Sequence, residues 1–224
     1  MTQLDSTLPA TETLLPETTA ERILAAGMDC FAREGFAGAT TRMIAAQAGV
    51  TLPVIAYHFG NKEGLHRACA NAIVEQYRRR LLPLVSSARA AADSDAITRE
   101  EARHWLETIL LALVSAITAD AEQRLSTDFV LREMSEQGPG FALLFAELWQ
   151  PGIALVADLL GMARAQDGSP QPDRIGAVML LAALSAFTRE EAISRPFLGW
   201  ERIDDARHDE IGAAALRLLR GLTG

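Results

Sequence analysis

Residues 41–59 run Thr-Arg-Met-Ile-Ala-Ala-Gln-Ala, then Gly-Val-Thr, then Leu-Pro-Val-Ile-Ala-Tyr-His-Phe: two short helical patterns parted by a glycine turn. Nothing else in the chain limits its fold so tightly. Helix nucleation is costly and isolated helices below about 12 residues are marginal in water, so both stretches must be held by packing against neighbouring chain. Gly49 supplies a left-handed backbone that costs other residues about 1 kcal/mol or more. Thr41 is placed to cap the first short helix and Thr51 the second. Pro53 is tolerated in a first turn, whose amides lack internal partners. The arrangement is helix-turn-helix geometry.

The packing partner comes just before. Over Thr19–Glu34, Ile23, Gly27 and Phe31 recur at helical spacing with Ala26 and Cys30 beside them, and Gly35 ends the pattern. Ile44, Ala45, Ala48, Ile55 and Phe59 can bury their side chains against that stripe. The outward set is then Arg42, Thr51, Leu52, Pro53, Val54, Tyr57 and His58, a surface suited to base edges, thymine methyls and phosphates. A net charge of −8 over 224 residues argues against a general nucleic-acid binder. Residues 19–82 nevertheless carry eight Lys or Arg against five acids. Among them is Lys62, the sole lysine of the chain. It falls in the first turn of a fourth helix, after the cap Asn61, where the helix dipole disfavours a cation by about 0.3–1 kcal/mol. A DNA phosphate at that helix start would offset the cost.

The run Phe31-Ala-Arg-Glu-Gly-Phe36, with Thr40-Thr41, Ile44-Ala45, Ala48-Gly49-Val50-Thr51 and Tyr57-His58-Phe59-Gly-Asn-Lys62-Glu-Gly-Leu65, resembles the DNA-binding domain of the TetR/AcrR family of transcriptional regulators. One departure is Tyr57, which stands where the family varies, while Ala56 takes the place where the family commonly has Tyr. Further on, Leu131-Arg-Glu-Met134, Pro139, Pro151, Leu159-Leu160-Gly161 and Leu198-Gly-Trp200 are similar to the C-terminal half of the CecR-type subgroup. The resemblance implies an all-α chain: an N-terminal three-helix DNA-binding domain joined by a long helix to a C-terminal helical domain for ligand binding and dimerisation. It implies DNA contacts from Thr40, Thr41, Arg42, Thr51, Leu52, Pro53, Val54, Tyr57, His58 and Lys62. The partners implied are operator DNA, a small-molecule effector and a second copy of the chain.

The remaining organisation follows from periodicity and breaks. Residues 1–18 read as a flexible arm, 19–66 as the DNA-binding domain and 67–224 as the ligand-binding and dimerisation domain. The fourth helix should close at Pro83, and further helices are expected near 98–120, 126–137, 141–150, 152–165, 173–194 and 201–221. Pro151 marks either a break or a kink in one continuous helix. His104, Trp105, Phe129, Met134, Phe141, Phe145 and Trp149 either line an effector cavity or form ordinary core. Leu180, Leu181, Leu184 and Phe187, with Ile211, Ala215, Leu218 and Leu219, suit a four-helix dimer seam, with intramolecular core as the competing account. Arg132, Glu133, His104 and Arg189 are polar residues for such a cavity or solvated surface groups.

Several functions are disfavoured. The four histidines, His58, His66, His104 and His208, lack metal-ligand spacing, and no cofactor is expected. Cys30 and Cys69 sit in apolar patterns as core thiols. Without a GxSxG, HExxH, P-loop or dinucleotide fingerprint, an enzyme on a helical bundle ranks below a regulator, whether its effector is a small molecule or a protein. The apolar runs Ile109–Ala119 and Gly176–Phe187 are too short to cross about 30 Å of hydrocarbon, so a cytoplasmic protein is expected.

Overall fold

The computed structural model describes residues 18–94, 96–117, 121–164 and 171–223, and the arm proposed for the N-terminus lies almost wholly outside them. All regular elements among the described residues are helical. Helix α1 (Thr19–Gly38) opens on a capping box in which Thr18 and Glu21 satisfy each other's amides. At Gly35 its backbone turns to φ 70° and ψ 175°, a single non-helical residue after which the chain winds on to Gly38. Helices α2 (Thr41–Ala48) and α3 (Leu52–Phe59) have the lengths implied by their sequence signals. Their turn places Gly49 at φ 65° and ψ 38°.

Helix α4 (Lys62–Ala92) does not close at Pro83 but carries it inside. An interior proline costs about 3 kcal/mol locally. Packing at both ends of α4 overrides that cost: Leu65, Cys69, Ala70, Ile73 and Val74 belong to one core, and Ala88 and Ala92 to another. The first core is that of the head, with Ile23, Phe31, Ile44, Ala45 and Ile55 at its centre. Phe129 and Leu144 from later helices also enter it, so the head extends past residue 66 and is built partly from the C-terminal half.

The body contains α5 (Arg99–Ile117), α6 (Ala121–Glu136), α7 (Phe141–Arg164), α8 (Gln171–Ala183, continued as a 3-10 turn Leu184–Phe187), α9 (Glu191–Phe197) and α10 (Asp205–Thr223). Pro151 interrupts nothing. The chain widens to a π-turn over Phe145–Trp149, where the Gln150 amide reaches back to the Phe145 carbonyl. The wider turn relieves the clash of the proline ring with the carbonyl of Glu147. The helix expected over 173–194 is instead divided at Thr188–Glu190. By length and composition α7 is long and apolar enough to cross a membrane, with a mean hydropathy of 1.5, which the shorter apolar runs do not reveal. In this fold its Leu155, Val156, Leu159 and Leu160 face the body core together with Leu106, Leu110 and Val114.

Candidate nucleic-acid interface

The three-helix head is organised by short-range capping. Thr40, not Thr41, caps α2: its hydroxyl accepts from the Met43 amide at 3.2 Å, and Thr41 becomes the first helical residue. Adjacent threonines have the same capping chemistry, and only the extended backbone of Thr40 aims a hydroxyl along the helix axis. At α3 the backbone of Thr51 occupies the capping position, yet its side chain makes no capping bond. The hydroxyl is therefore not consumed in holding the helix. Ile55 buries the inner face of α3, and Leu52, Pro53, Tyr57 and His58 are exposed. Tyr57 is 86% exposed, an extreme value for an aromatic side chain, with its ring 5.1 Å from that of His58. Val54 is half-buried against the head core and contributes less to the outer surface than its position implies.

Arg42 is exposed at the start of α2 and forms no ion pair among the described residues. Arg22, which sequence spacing did not single out, joins it. Its Nη1 lies 3.9 Å from the place a Cβ on Gly49 would take, which sets a guanidinium beside the helix-turn-helix turn. No spacing rule brings the first turn of α1 to that point; only the three-helix packing does.

Lys62 has a different arrangement from the one its sequence position suggests. Asn61 caps α4 as expected, its Oδ1 accepting from the Gly64 amide at 2.8 Å. The Lys62 ammonium, however, folds back, donating to the Ala39 carbonyl at 2.8 Å and lying 4.4 Å from the centroid of the Phe36 ring. Ala39 is the C-cap of α1. The negative end of the α1 dipole and an aromatic face thus offset the unfavourable start of α4 from inside the chain. An external anion is not needed to offset that cost, and the ammonium ties the end of α1 to the start of α4.

Comparison with known proteins agrees with this geometry. Residues 23–69 match the family profile described as bacterial regulatory proteins, tetR family. The HTH-type transcriptional dual regulator CecR of Shigella flexneri is 25% identical over 199 residues, spanning 89% of this chain and 88% of that protein. The N-terminal head is thus similar to the DNA-binding domain of the TetR family, and a weaker likeness to a regulator of that type extends over most of the chain. Solved TetR-type structures share its fold: a TetR-like regulator from Rhodococcus sp. RHA1 superposes with a TM-score of 0.62 at 22% identity, covering 93% of this chain and 99% of its own. AibR, solved in complex with isovaleryl coenzyme A and operator DNA, gives 0.64 at 16% identity, with coverages of 89% and 96%.

The aromatic residues considered for an effector site are spread over both cores and the chain between them. Phe129 is 1% exposed within the head core, its ring 6.4 Å from Phe31 and 4.8 Å from His66, and is structural. Trp105 packs against the body core and His104 is exposed. Phe141 and Phe145 stack at 5.9 Å, with Phe145 42% exposed. Met134 and Trp149 are half-buried, and among the described residues the buried indole nitrogen of Trp149 lacks a hydrogen-bond partner. Of the polar group, Arg189 is exposed, while Glu133 is buried and Arg132 binds α1.

The residues considered for a dimer seam divide likewise. Leu180, Leu184, Ile211, Ala215 and Leu219 are buried in the body core of the chain itself. Leu181 and Phe187 are half-buried and Leu218 is 55% exposed. On the opposite face of α8, Ile175, Val178 and Met179 are 52%, 51% and 66% exposed, with Ala182 completing the stripe. Both faces of α8 are apolar, so periodicity alone could not say which one turns inward.

Proposed function

We propose that this chain is a TetR-type regulator, a dimeric, cytoplasmic repressor that binds operator DNA through α3 and is released by a small, largely apolar molecule. The observation that carries the proposal is the start of α3. Thr51, Leu52, Pro53 and Tyr57 all face outward, and the Thr51 hydroxyl is unused by its own helix. A helix presented N-terminus first, on a scaffold packed from behind by Ile44 and Ile55, can enter a major groove and set those groups against base edges. Thr40, Thr41, Arg42, His58 and Arg22 flank it as phosphate-positioning groups.

Two heads are needed, because one three-helix head offers few contacts and linked half-site affinities multiply. The seam we assign is the exposed stripe Ile175, Val178, Met179 and Ala182 of α8 with Leu218 of α10. These α8 residues recur at i, i+3, i+4 and i+7, the face that pairs in a helical bundle. The effector would occupy the body beside the Phe141–Trp149 turn, where Phe145 is exposed and the Trp149 indole nitrogen is unsatisfied among the described residues. Its binding would shift the population toward a head spacing that no longer fits successive major grooves about 34 Å apart. The AibR complex, holding both a ligand and operator DNA on this fold, supports a body that answers to a small molecule.

A mobility-shift assay on DNA upstream of the protein's own gene tests the reading. A retarded band that survives excess unrelated DNA is the expected result, and complete loss of the band under that competitor would overturn it.

A further inference from the structure

Two adjacent residues of α6, assigned above neither to DNA nor to the dimer, grip two different helices of the head. The Arg132 guanidinium donates through Nε to the Ala32 carbonyl at 3.0 Å and through Nη2 to the Arg33 carbonyl at 2.8 Å, while Nη1 pairs with Glu136 at 2.9 Å. Both carbonyls precede the non-helical backbone of Gly35, where the intrahelical ladder of α1 is interrupted. Arg132 therefore serves as a cap for α1 supplied by the body. Glu136 fills the space that a side chain on Gly35 would need.

Glu133 points to the other helix. Its Oε1 is 3.0 Å from Nε2 of His66 on α4, with the two side chains 3% and 1% exposed, and its Oε2 accepts from the Gly140 amide at 2.7 Å. Phe31, Phe36 and Phe129 surround the imidazole with ring centroids at 4.6, 5.0 and 4.8 Å. Among the described residues Nδ1 of His66 has no partner, and the bond to Glu133 is the one that orients the ring. A methyl at Gly140 would come within 3.0 Å of Glu133 and 3.4 Å of His66, which leaves no slack at the joint. A buried carboxylate that loses its partners is heavily penalised. The joint is consequently either closed or broken, with little between.

We propose that Arg132 and Glu133 are spacing-determining residues: by fixing the head on the body at two points, they set which half-site separation the dimer accepts, without touching DNA. The inference rests on the operator-binding function proposed above. Inserting one base pair between half-sites moves one site by about 3.4 Å and turns it by about 34°. A head hinged on α4 alone could follow by bending that helix. The second grip, on α1, removes this freedom.

The test uses the full chain with Arg132→Met, which keeps the stem and loses the fork, Arg132→Lys as the conservative change, and Glu133→Gln. Affinity is measured for the best DNA selected by the wild type and for the same DNA with one base pair inserted or deleted between half-sites. Amide hydrogen exchange is followed over residues 32–39 and 62–70. We expect the wild type to favour its own spacing by on the order of tenfold or more. Arg132→Met and Glu133→Gln should reduce that ratio to within about threefold without changing the half-site sequence, and Arg132→Lys should lie between. Exchange should quicken in both segments whichever grip is removed, since both grips act through α6. If Glu133→Gln fails to fold, Arg132→Met alone decides. Equal loss of affinity at every spacing, or exchange that quickens only beside the mutated grip, would overturn the proposal and leave a purely structural clamp. A wild type that binds no paired half-sites would sink the operator reading and this inference with it; a normal wild-type spacing preference unaltered in the variants would sink this inference alone.

Discussion

Gly35→Ala tests the clamp on α1 by stability alone. At φ 70° and ψ 175° the backbone lies in a region occupied essentially only by glycine, and forcing a side-chain-bearing residue there costs about 1–3 kcal/mol. The new methyl would also stand 2.7 and 2.9 Å from the two carboxylate oxygens of Glu136 and 3.2 Å from Cδ of Arg132. Relief requires moving Glu136 off Arg132, a half-exposed pair worth up to about 1 kcal/mol. The sum is about 1–4 kcal/mol. Gly49→Ala is the control, because its φ of 65° and ψ of 38° are left-handed but ordinary. The nearest atom to its methyl is Nη1 of Arg22 at 3.9 Å, so the cost is the backbone term of about 1 kcal/mol. Urea unfolding at one fixed protomer concentration, which keeps any dimer contribution constant, should place Gly35→Ala well below Gly49→Ala. A Gly35→Ala protein no less stable than Gly49→Ala would refute the argument that this residue is both strained and crowded.

Lys62→Met should lower stability by about 1–2 kcal/mol through loss of the bond to Ala39 and leave the slope of log affinity against log salt unchanged, whereas Arg42→Ala should reduce that slope by about one unit; salt titrations of operator binding separate the two. Tyr57→Ala, at an 86% exposed position, should leave the unfolding midpoint unchanged and weaken operator binding, while substitutions at Thr51, Leu52 or Pro53 alter the preferred bases at about 1–3 kcal/mol per contact. Met179→Glu combined with Leu218→Arg should yield folded monomers by sedimentation, and a persistent dimer would move the seam elsewhere. Burial pushes the Cys69 thiol up to about 12 and raises that of Cys30 as well, with a smaller contribution from Asp29; a thiol reagent at neutral pH should modify both only after denaturant is added, and fast labelling of the native chain would contradict the packing.

What could be read from sequence depended on how local the signal was. Gly49 and Asn61 announce themselves, because a left-handed turn and a helix cap are decided within three or four residues, and α2 and α3 follow from them. Pro83 misleads for the converse reason: its local penalty is real, but packing at both ends of α4 outweighs it. The first turn of α4 correctly flags Lys62 as unusual, yet nothing nearby in the chain says that the end of α1 is folded against it. Glu133 lies in a charged run that reads as surface, and it is buried because His66 and the Gly140 amide converge on it from separate elements. The outer face of α3 is legible because exposure follows from helical period, whereas an effector site needs distances between helices that no periodicity contains.

We propose that the outer face of α3 reads DNA as one of two linked heads. Selection of bound sequences from a random duplex pool by the full-length chain addresses it most directly. The account predicts an inverted repeat, its half-site centres about one helical turn, roughly 34 Å, or a multiple of that apart, with the preferred bases altered when Thr51, Leu52 or Pro53 is replaced. Enrichment of no sequence, or of the same inverted repeat by all three variants, would contradict it.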